Sequence, residues 1–422
     1  GIGEDIVLGG IDGDMITAND GRTVTDGFDD DGNNIVIGDS GYIDWSAADN
    51  GRIYAATTTS GGTLPGDDTT AFDIDRIVST EPGDGGDDQI TTGDRHDIIL
   101  AGAGGDTVHA GHGKNIVFGD AGQITASVFD DPLVQISVTD FTIGEIVSIA
   151  YADGGVDTID SGDHDDIVIG GRDGDSLDSG KGDNVVFGDH GRILMLTNHT
   201  VNDSPDFNNV VGDPARPGPA EDHPLTYALI ASIVPENELG GNDIITSGIG
   251  RDIIIGGADN DTINSFASIS LDGMVVTAAQ DGNNIVFGDY GLVDYLSEEL
   301  TQGGADNPTL EEYVLTNDAD DATNDADDAE DNPVRAADID RIWSLADATE
   351  LGGADIITTG DSNDIVLGGT GSDVIVVGDG SNIAIGDNAK LTTAPMDMDA
   401  PVFSVHEFTI CKTETIGFGD DD

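Results

Sequence analysis

The sequence predicts an all-β solenoid, an elongated rod of stacked nine-residue turns interrupted by strand-loop-strand connectors. Three observations carry this expectation: a nonapeptide period, apolar residues locked to one phase of it, and an acidic charge too large for an ordinary core. From Asp84 the chain divides without a gap into DGGDDQITT, GDRHDIILA, GAGGDTVHA and GHGKNIVFG. Further sets begin at Asp153, Leu239 and Leu351, and the opening GIGEDIVLG and GIDGDMITA are a set already in progress. In each nine the fifth position is Asp, or Asn in the last turn of a set, and the seventh is apolar, as in Ile90, Ile99, Val108 and Val117.

Each part of the nine has a physical task. Glycines at the first and third positions permit positive φ and a tight turn. A short β-branched strand follows, with its seventh-position side chain directed inward. One turn cannot bury that side chain, whereas stacked turns bury a continuous stripe of Val and Ile. The fifth-position residues then align in ladders. They are Asp5, Asp14 and Asn34, then Asp88, Asp97, Asp106 and Asn115, then Asp157, Asp166, Asp175 and Asn184. Asp243, Asp252, Asp261 and Asn284 follow, and Asp355, Asp364, Asp373 and Asn382 close the series. Every set ends on a Gly-Asp pair, which adds Asp39, Asp120, Asp189, Asp289 and Asp387. Aligned carboxylates repel unless a cation lies between successive turns. Carboxylates and carbonyls freed by glycine-rich turns are the oxygen-only donor set of a hard cation, above all Ca²⁺. All of these Asp and Asn residues are therefore expected metal ligands.

The blocks divide the chain into one continuous solenoid of five parts: 1–83, 84–152, 153–238, 239–350 and 351–422. Each part holds a set and a connector. The connectors return through FDIDRIVST, FTIGEIVSIA, LTYALIASIV, ADIDRIWSL and FSVHEFTIC, whose alternation reads as β-strand. Outgoing and returning strands are expected to pair and to continue the stack. Residues 19–29 and 266–279 interrupt two sets before their last turn, and the connector stretch NDADDATNDADDAEDN reads as a solvated acidic loop.

Composition narrows the function classes. The 422 residues carry 84 acidic and 14 basic side chains, a formal charge of −70. With no basic patch to neutralise phosphates, nucleic acid is excluded as a partner. No run of about 18 apolar residues is present to span a membrane as a helix, and the single Cys411 cannot form an internal disulfide. Gly-Asp-Ser-Gly within NNIVIGDSGYID matches the surroundings of the nucleophile in chymotrypsin-like serine proteases. The later copies of that frame carry Ala121, His190, Tyr290 and Asn388 where Ser40 stands, so the serine is incidental. No His-Glu-x-x-His or Gly-x-Ser-x-Gly occurs, and the chain is expected not to be an enzyme. His109 and His112 lie in adjacent turns without further His or Cys and read as surface residues. Trp45, Trp343 and Tyr290 are read either as strand packing or as a surface for glycan.

The nines resemble the repeats-in-toxin (RTX) calcium-binding nonapeptide, Gly-Gly-x-Gly-x-Asp-x-apolar-x. The resemblance implies a parallel β-roll in which two nines make one coil, and each ion lies between turns two apart. It pairs Asp88 with Asp106, Asp157 with Asp175, Asp243 with Asp261 and Asp355 with Asp373. On the other edge it pairs Asp97 with Asn115, Asp166 with Asn184, Asp252 with Asn284, Asp364 with Asn382 and Asp5 with Asn34. Asp14 finds no partner within its own set. The sequence departs from the repeat at Arg95, His164 and Ser362, which stand in place of the third-position glycine. Asp12, Asp173 and Asp259 replace it elsewhere and add oxygen donors, while Asn on the second edge implies weaker or water-filled sites.

The expected function is an extracellular or cell-surface, secreted structural protein, a calcium-rigidified rod forming a filament, surface layer or matrix. With no initiator Met, and with IGFGDDD aligning with the lead-in to a set, the chain reads as a processed subunit or a window of a longer array. Other copies of itself, end to end, are the expected partners. The alternatives are the stalk of a large RTX adhesin, or the secretion and folding module of an RTX enzyme or toxin whose catalytic domain lies elsewhere.

Overall fold

The computed structural model describes residues 3–18, 32–45, 74–126, 143–195, 227–235, 240–266, 281–295, 339–345, 352–393 and 410–416. Every regular element among them is a strand, arranged in three sheets. Successive nines alternate between two parallel sheets. Ile6–Leu8, Ile35–Ile37, Ile98–Leu100 and Ile116–Phe118 enter a ten-stranded inner sheet, while Met15–Thr17, Gln89–Thr91 and Thr107–His109 enter a nine-stranded outer sheet. Partners within a set are two nines apart, as in Ile99↔Val117 and Ile90↔Val108. The same register crosses from set to set, with Val117↔Val168 and Val108↔Ile159. The all-β parallel roll expected from the period is the observed fold.

The two parallel sheets differ because their strands differ. Outer strands read QIT, TVH, TID and SLD, apolar only at the centre, so one face is buried and one meets water. Inner strands read IVI, IIL, IVF and VVF, the continuous apolar run of a strand covered on both faces. The central residues of both sheets, among them Val36, Ile90, Ile99, Val108 and Val117, form the core between them. The flanking residues of the inner strands, among them Ile98, Leu100, Phe118, Phe187 and Phe287, turn the opposite way. They pack against Ile77, Ile124, Ile146, Ile193 and Ile230 of the third sheet in a second core. Burying each such side chain contributes about 1.5–3 kcal/mol.

That third sheet is the antiparallel cover formed by the outgoing and returning strands. Gly41–Asp44 pairs with Arg76–Ser79, Gly122–Ala126 with Ile143–Ser148, and Gly191–Met195 with Tyr227–Ser232. Gly291–Asp294 pairs with Arg341–Ser344 and Ala389–Thr393 with Ile410–Thr415. Neighbouring hairpins join as well, Ile146 lying opposite Ile193. The glycine that opens an outgoing strand sits on the phenylalanine four residues before it. A Cβ at Gly122, Gly191 or Gly291 would lie 2.4–2.6 Å from the ring of Phe118, Phe187 or Phe287. Packing of the cover on the inner sheet thus explains the FGD-x-G frame. The acidic stretch 317–332 and the interruption 19–29 lie outside the described residues, as does 266–279 beyond Phe266.

Candidate metal centre

Two ladders of turn residues run the length of the stack. The turn before each outer strand supplies one, and the turn before each inner strand supplies the other. In both, the backbone N–H of one rung donates to Oδ1 of the next. The outer-strand ladder runs Asp14, Asp88, Asp106, Asp157, Asp175, Asp243, Asp261, Asp355 and Asp373, with N–H to oxygen distances of 2.7–2.9 Å. The inner-strand ladder runs Asp5, Asn34, Asp97, Asn115, Asp166, Asn184, Asp252, Asn284, Asp364 and Asn382, at 2.7–3.0 Å. The structure brings together every rung pair the resemblance implied. It also gives Asp14 a partner, Asp88 of the following set, 74 residues on. The ladders do not stop at set boundaries.

The ladders differ at the second carboxylate oxygen. On the all-aspartate edge, Oδ2 of Asp88, Asp106, Asp157, Asp175, Asp243, Asp261 and Asp355 is buried without a hydrogen-bond partner. Except at Asp106, where Ala101 holds the equivalent position, each such oxygen faces a backbone carbonyl across the space where a glycine side chain would stand. A Cβ at Gly119 would lie 2.1 Å from Asp157 Oδ2 and 2.6 Å from the Gly170 carbonyl oxygen. At Gly170 the same point is 2.4 Å from Asp175 Oδ2 and 2.3 Å from the Gly188 oxygen. Gly188, Gly256, Gly288 and Gly368 repeat the arrangement with Asp243, Asp261, Asp355 and Asp373. Unpartnered carboxylate oxygens and turn carbonyls brought together in this way are the oxygen-only donor set that suits Ca²⁺. The residues present fit the ion.

Electrostatics point the same way. Burial pushes the Asp106 carboxyl up to about 9, against the hydrogen bond from the Asp88 backbone, and the charges of Asp157 and Asp88 push it further. Burial and the neighbouring Asp120 raise Asp157 to about 9, and Asp355 reaches about 8, chiefly through burial. Asp175 is raised well above the usual carboxylate range by burial and by Asp157 and Asp243. These carboxylates are costly to hold charged without a cation.

The Gly-Asp residues have a different setting. Asp39 accepts N–H groups of Gly86 and Ala103, at 3.2 and 2.5 Å. Asp120 accepts from Gly155 and Arg172, and Asp189 from Gly241 and Ala258. Asp289 accepts from Gly353 and from the backbone and hydroxyl of Thr370. Both oxygens of each are thus engaged by the first two outer-edge turns of the following set. The sequence reading grouped these four with the metal ligands. The structure makes them clamps between sets, and their invariance follows from that. Gly171, at φ 122°, leaves room for one such clamp, because a Cβ there would lie 2.3 Å from Asp120 Oδ2. Asp387, at the end of the strand Ile383–Asp387, has no later set among the described residues to clamp.

Sequence reasoning also missed the inner-edge hydroxyls. Ser161, Ser247 and Thr359 donate to Oδ2 of Asp166, Asp252 and Asp364, each at 2.7 Å. The signal was present at the ninth position, where Thr92, Ser161, Ser247 and Thr359 precede inner-edge turns and Gly9, Gly170, Gly256 and Gly368 precede outer-edge turns. Five of the six third-position departures keep the turn geometry, with positive φ at Asp12, Arg95, His164, Asp173 and Asp259 but not at Ser362. Of the aromatic candidates, Tyr290 is buried and Trp343 lies under Arg341 and Lys390, at 4.7 and 4.4 Å. Trp45 is 38% exposed. His109 is exposed beside Asp160, and the half-buried His112 stacks edge-on with His164. Ser40 is half-buried in the bend before the strand Gly41–Asp44, while its counterpart His190 is buried against Tyr151.

The family model of the RTX calcium-binding nonapeptide repeat matches residues 91–123, 149–177, 160–192, 239–265 and 351–384. These segments fall on the nonapeptide sets, and the structure extends the same ladder to the first set through the Asp5–Asn34 bond. No curated protein matches the chain.

Proposed function

Because the chain carries RTX calcium-binding nonapeptide repeats, we propose that it is a secreted, non-enzymatic structural protein of the cell surface or extracellular space. In this reading calcium stiffens the rod, and rods assemble end to end into a filament, surface layer or matrix. One observation carries it: among the described residues the ladder from Asp14 to Asp373 is continuous across all five sets, so the repeats form one uninterrupted stack. Asp88, Asp106, Asp157, Asp175, Asp243, Asp261 and Asp355 would hold the ions, aided by the turn carbonyls, and bound calcium would supply the positive charge the rungs lack. Folding and ion binding are then linked, each ion adding about 2.7 kcal/mol when calcium is a hundredfold above its dissociation constant. Low-calcium cytosol would leave the chain unfolded for export, and calcium outside the cell would fold it.

End-to-end assembly rests on the sheet edges. Among the described residues, Ile6–Leu8 and Met15–Thr17 end the parallel sheets on one side, Ile383–Asp387 and Val374–Val376 on the other. Ile6, Leu8, Met15, Val374 and Val376 are about half-exposed or more there. Uncovered strand edges invite further pairing, and a head-to-tail contact that does not close gives a filament. Sedimentation velocity in millimolar calcium and in excess EDTA tests the reading. Large, length-heterogeneous species that revert to an expanded monomer in EDTA would support it. A compact calcium-bound monomer would favour a stalk segment instead, and no response to calcium would sink it.

A further inference from the structure

We propose that the roll is loaded on one edge only. The all-aspartate edge takes calcium, and the mixed edge holds none because its own side chains stand where cations would. The proposal rests on the calcium-binding reading above and adds which sites are real.

Three independent features separate the edges. The first is the asparagine amide. On the mixed edge, Asn115 Nδ2 donates to the carbonyls of Gly111 and Ser161, at 3.3 and 2.9 Å. Asn184 donates to Gly182 and Ser247, and Asn34 to Gly32 and Thr92. These are turn carbonyls of the kind that would coordinate an ion, and here an N–H group occupies them. The second is the hydroxyl. In three mixed-edge turns Ser161, Ser247 and Thr359 satisfy the aspartate oxygen that stays unpartnered on the other edge, while Thr92, at the same position, donates to the Ala110 carbonyl.

The third is where the chain spends its few basic residues. Arg95, Lys114, Lys181 and Arg251 all lie in mixed-edge turns, and Arg172 alone lies in an all-aspartate turn. Lys114 pairs with Asp165 at 3.0 Å, Lys181 with Asp163 at 3.3 Å and Arg251 with Asp183 at 2.7 Å. The mixed edge thus has part of its turn charge offset by its own side chains, which the all-aspartate edge has only at Arg172. Neutral asparagines also separate the mixed-edge carboxylates, so no two charged rungs are adjacent between Asn34 and Asn382.

The test is a count of bound calcium on the full chain by native mass spectrometry at fixed free calcium. Asp175→Asn and Asp166→Asn are isosteric changes on opposite edges, and Asp252→Asn repeats the second in another set. The expected result is loss of at least one ion for Asp175→Asn and an unchanged count for both mixed-edge variants. Loss of an ion from either mixed-edge variant, with its thermal melt showing that it folds, overturns one-edge loading. A wild-type chain that binds no calcium would instead remove the calcium reading on which this rests.

Discussion

The two edges of the roll have the same backbone bond, an N–H to the Oδ1 of the next rung, and opposite solutions to what remains. On one, Asp175 Oδ2 is buried unpartnered beside a glycine. On the other, Asp166 Oδ2 receives the Ser161 hydroxyl, and Asn115 fills the neighbouring carbonyls. Burial raises the carboxyls of both, so desolvation is not what separates them. What differs is the next rung: Asp175 is flanked by the charges of Asp157 and Asp243, whereas Asp166 has asparagine on either side. A turn repeat can therefore hold a cation or replace it, and the choice lies in the fifth and ninth positions.

The largest expected effect is on pH dependence without calcium. Asp106 carries a folded value of about 9 against 3.8 for the free group. A raised carboxyl stabilises the fold fully below the unfolded value, and that contribution is lost as pH rises through the folded one. In excess EDTA the chain should thus be folded near pH 4, with a melting temperature that falls as pH rises until the chain is unfolded at pH 7. Millimolar calcium should flatten or invert the slope, because protons then compete with the ion at the acid end. Thermal melts across pH in both conditions measure this, and a calcium-independent profile would place the stabilising charges elsewhere.

Gly170→Ala should come next. Its methyl would enter the space between Asp175 Oδ2 and the Gly188 carbonyl, costing about 1–3 kcal/mol from crowding in addition to an ion. Denaturant unfolding at saturating calcium should show the larger loss, and unfolding in EDTA near pH 4, where protonated rungs keep the fold, the smaller. Ser161→Ala on the opposite edge should cost about 1–3 kcal/mol by stranding Asp166 Oδ2, equally at every calcium concentration that keeps the chain folded. If its cost grows with calcium, the edges are not distinct. The smallest change is His164→Gly. With φ at 104°, the histidine sits where glycine is at ease, and relief of strain should stabilise by about 1 kcal/mol. A melt shifted downward would show that the contact with His112 outweighs the strain.

Much of this was legible from the period. The inward seventh position and the alignment of the fifth-position residues follow from nine residues repeated in phase, while the alternation of strands between two sheets and the split into two ladders came with the RTX resemblance. Continuity of the stack was expected too, but the rung that joins one set to the next was not. Asp14 meets Asp88 only because the returning strand Arg76–Ser79 lies beside Gly41–Asp44 and brings the chain back one level on. Nor did charge counting distinguish Asp120 from Asp157, since both are invariantly acidic. One ends among backbone N–H groups and the other has an oxygen without a donor. The cover on the inner sheet was written in strands such as IVF against TVH, but its meaning depends on which face the Phe118 ring finds.

Far-UV circular dichroism of the full chain at pH 7, titrated with calcium from an EDTA-treated start, tests the central claim most directly. A cooperative rise from a disordered spectrum to a β spectrum, saturating at millimolar calcium or below, is the predicted result. The same β spectrum at every calcium concentration would mean that the unpartnered rungs are not what the ion holds together.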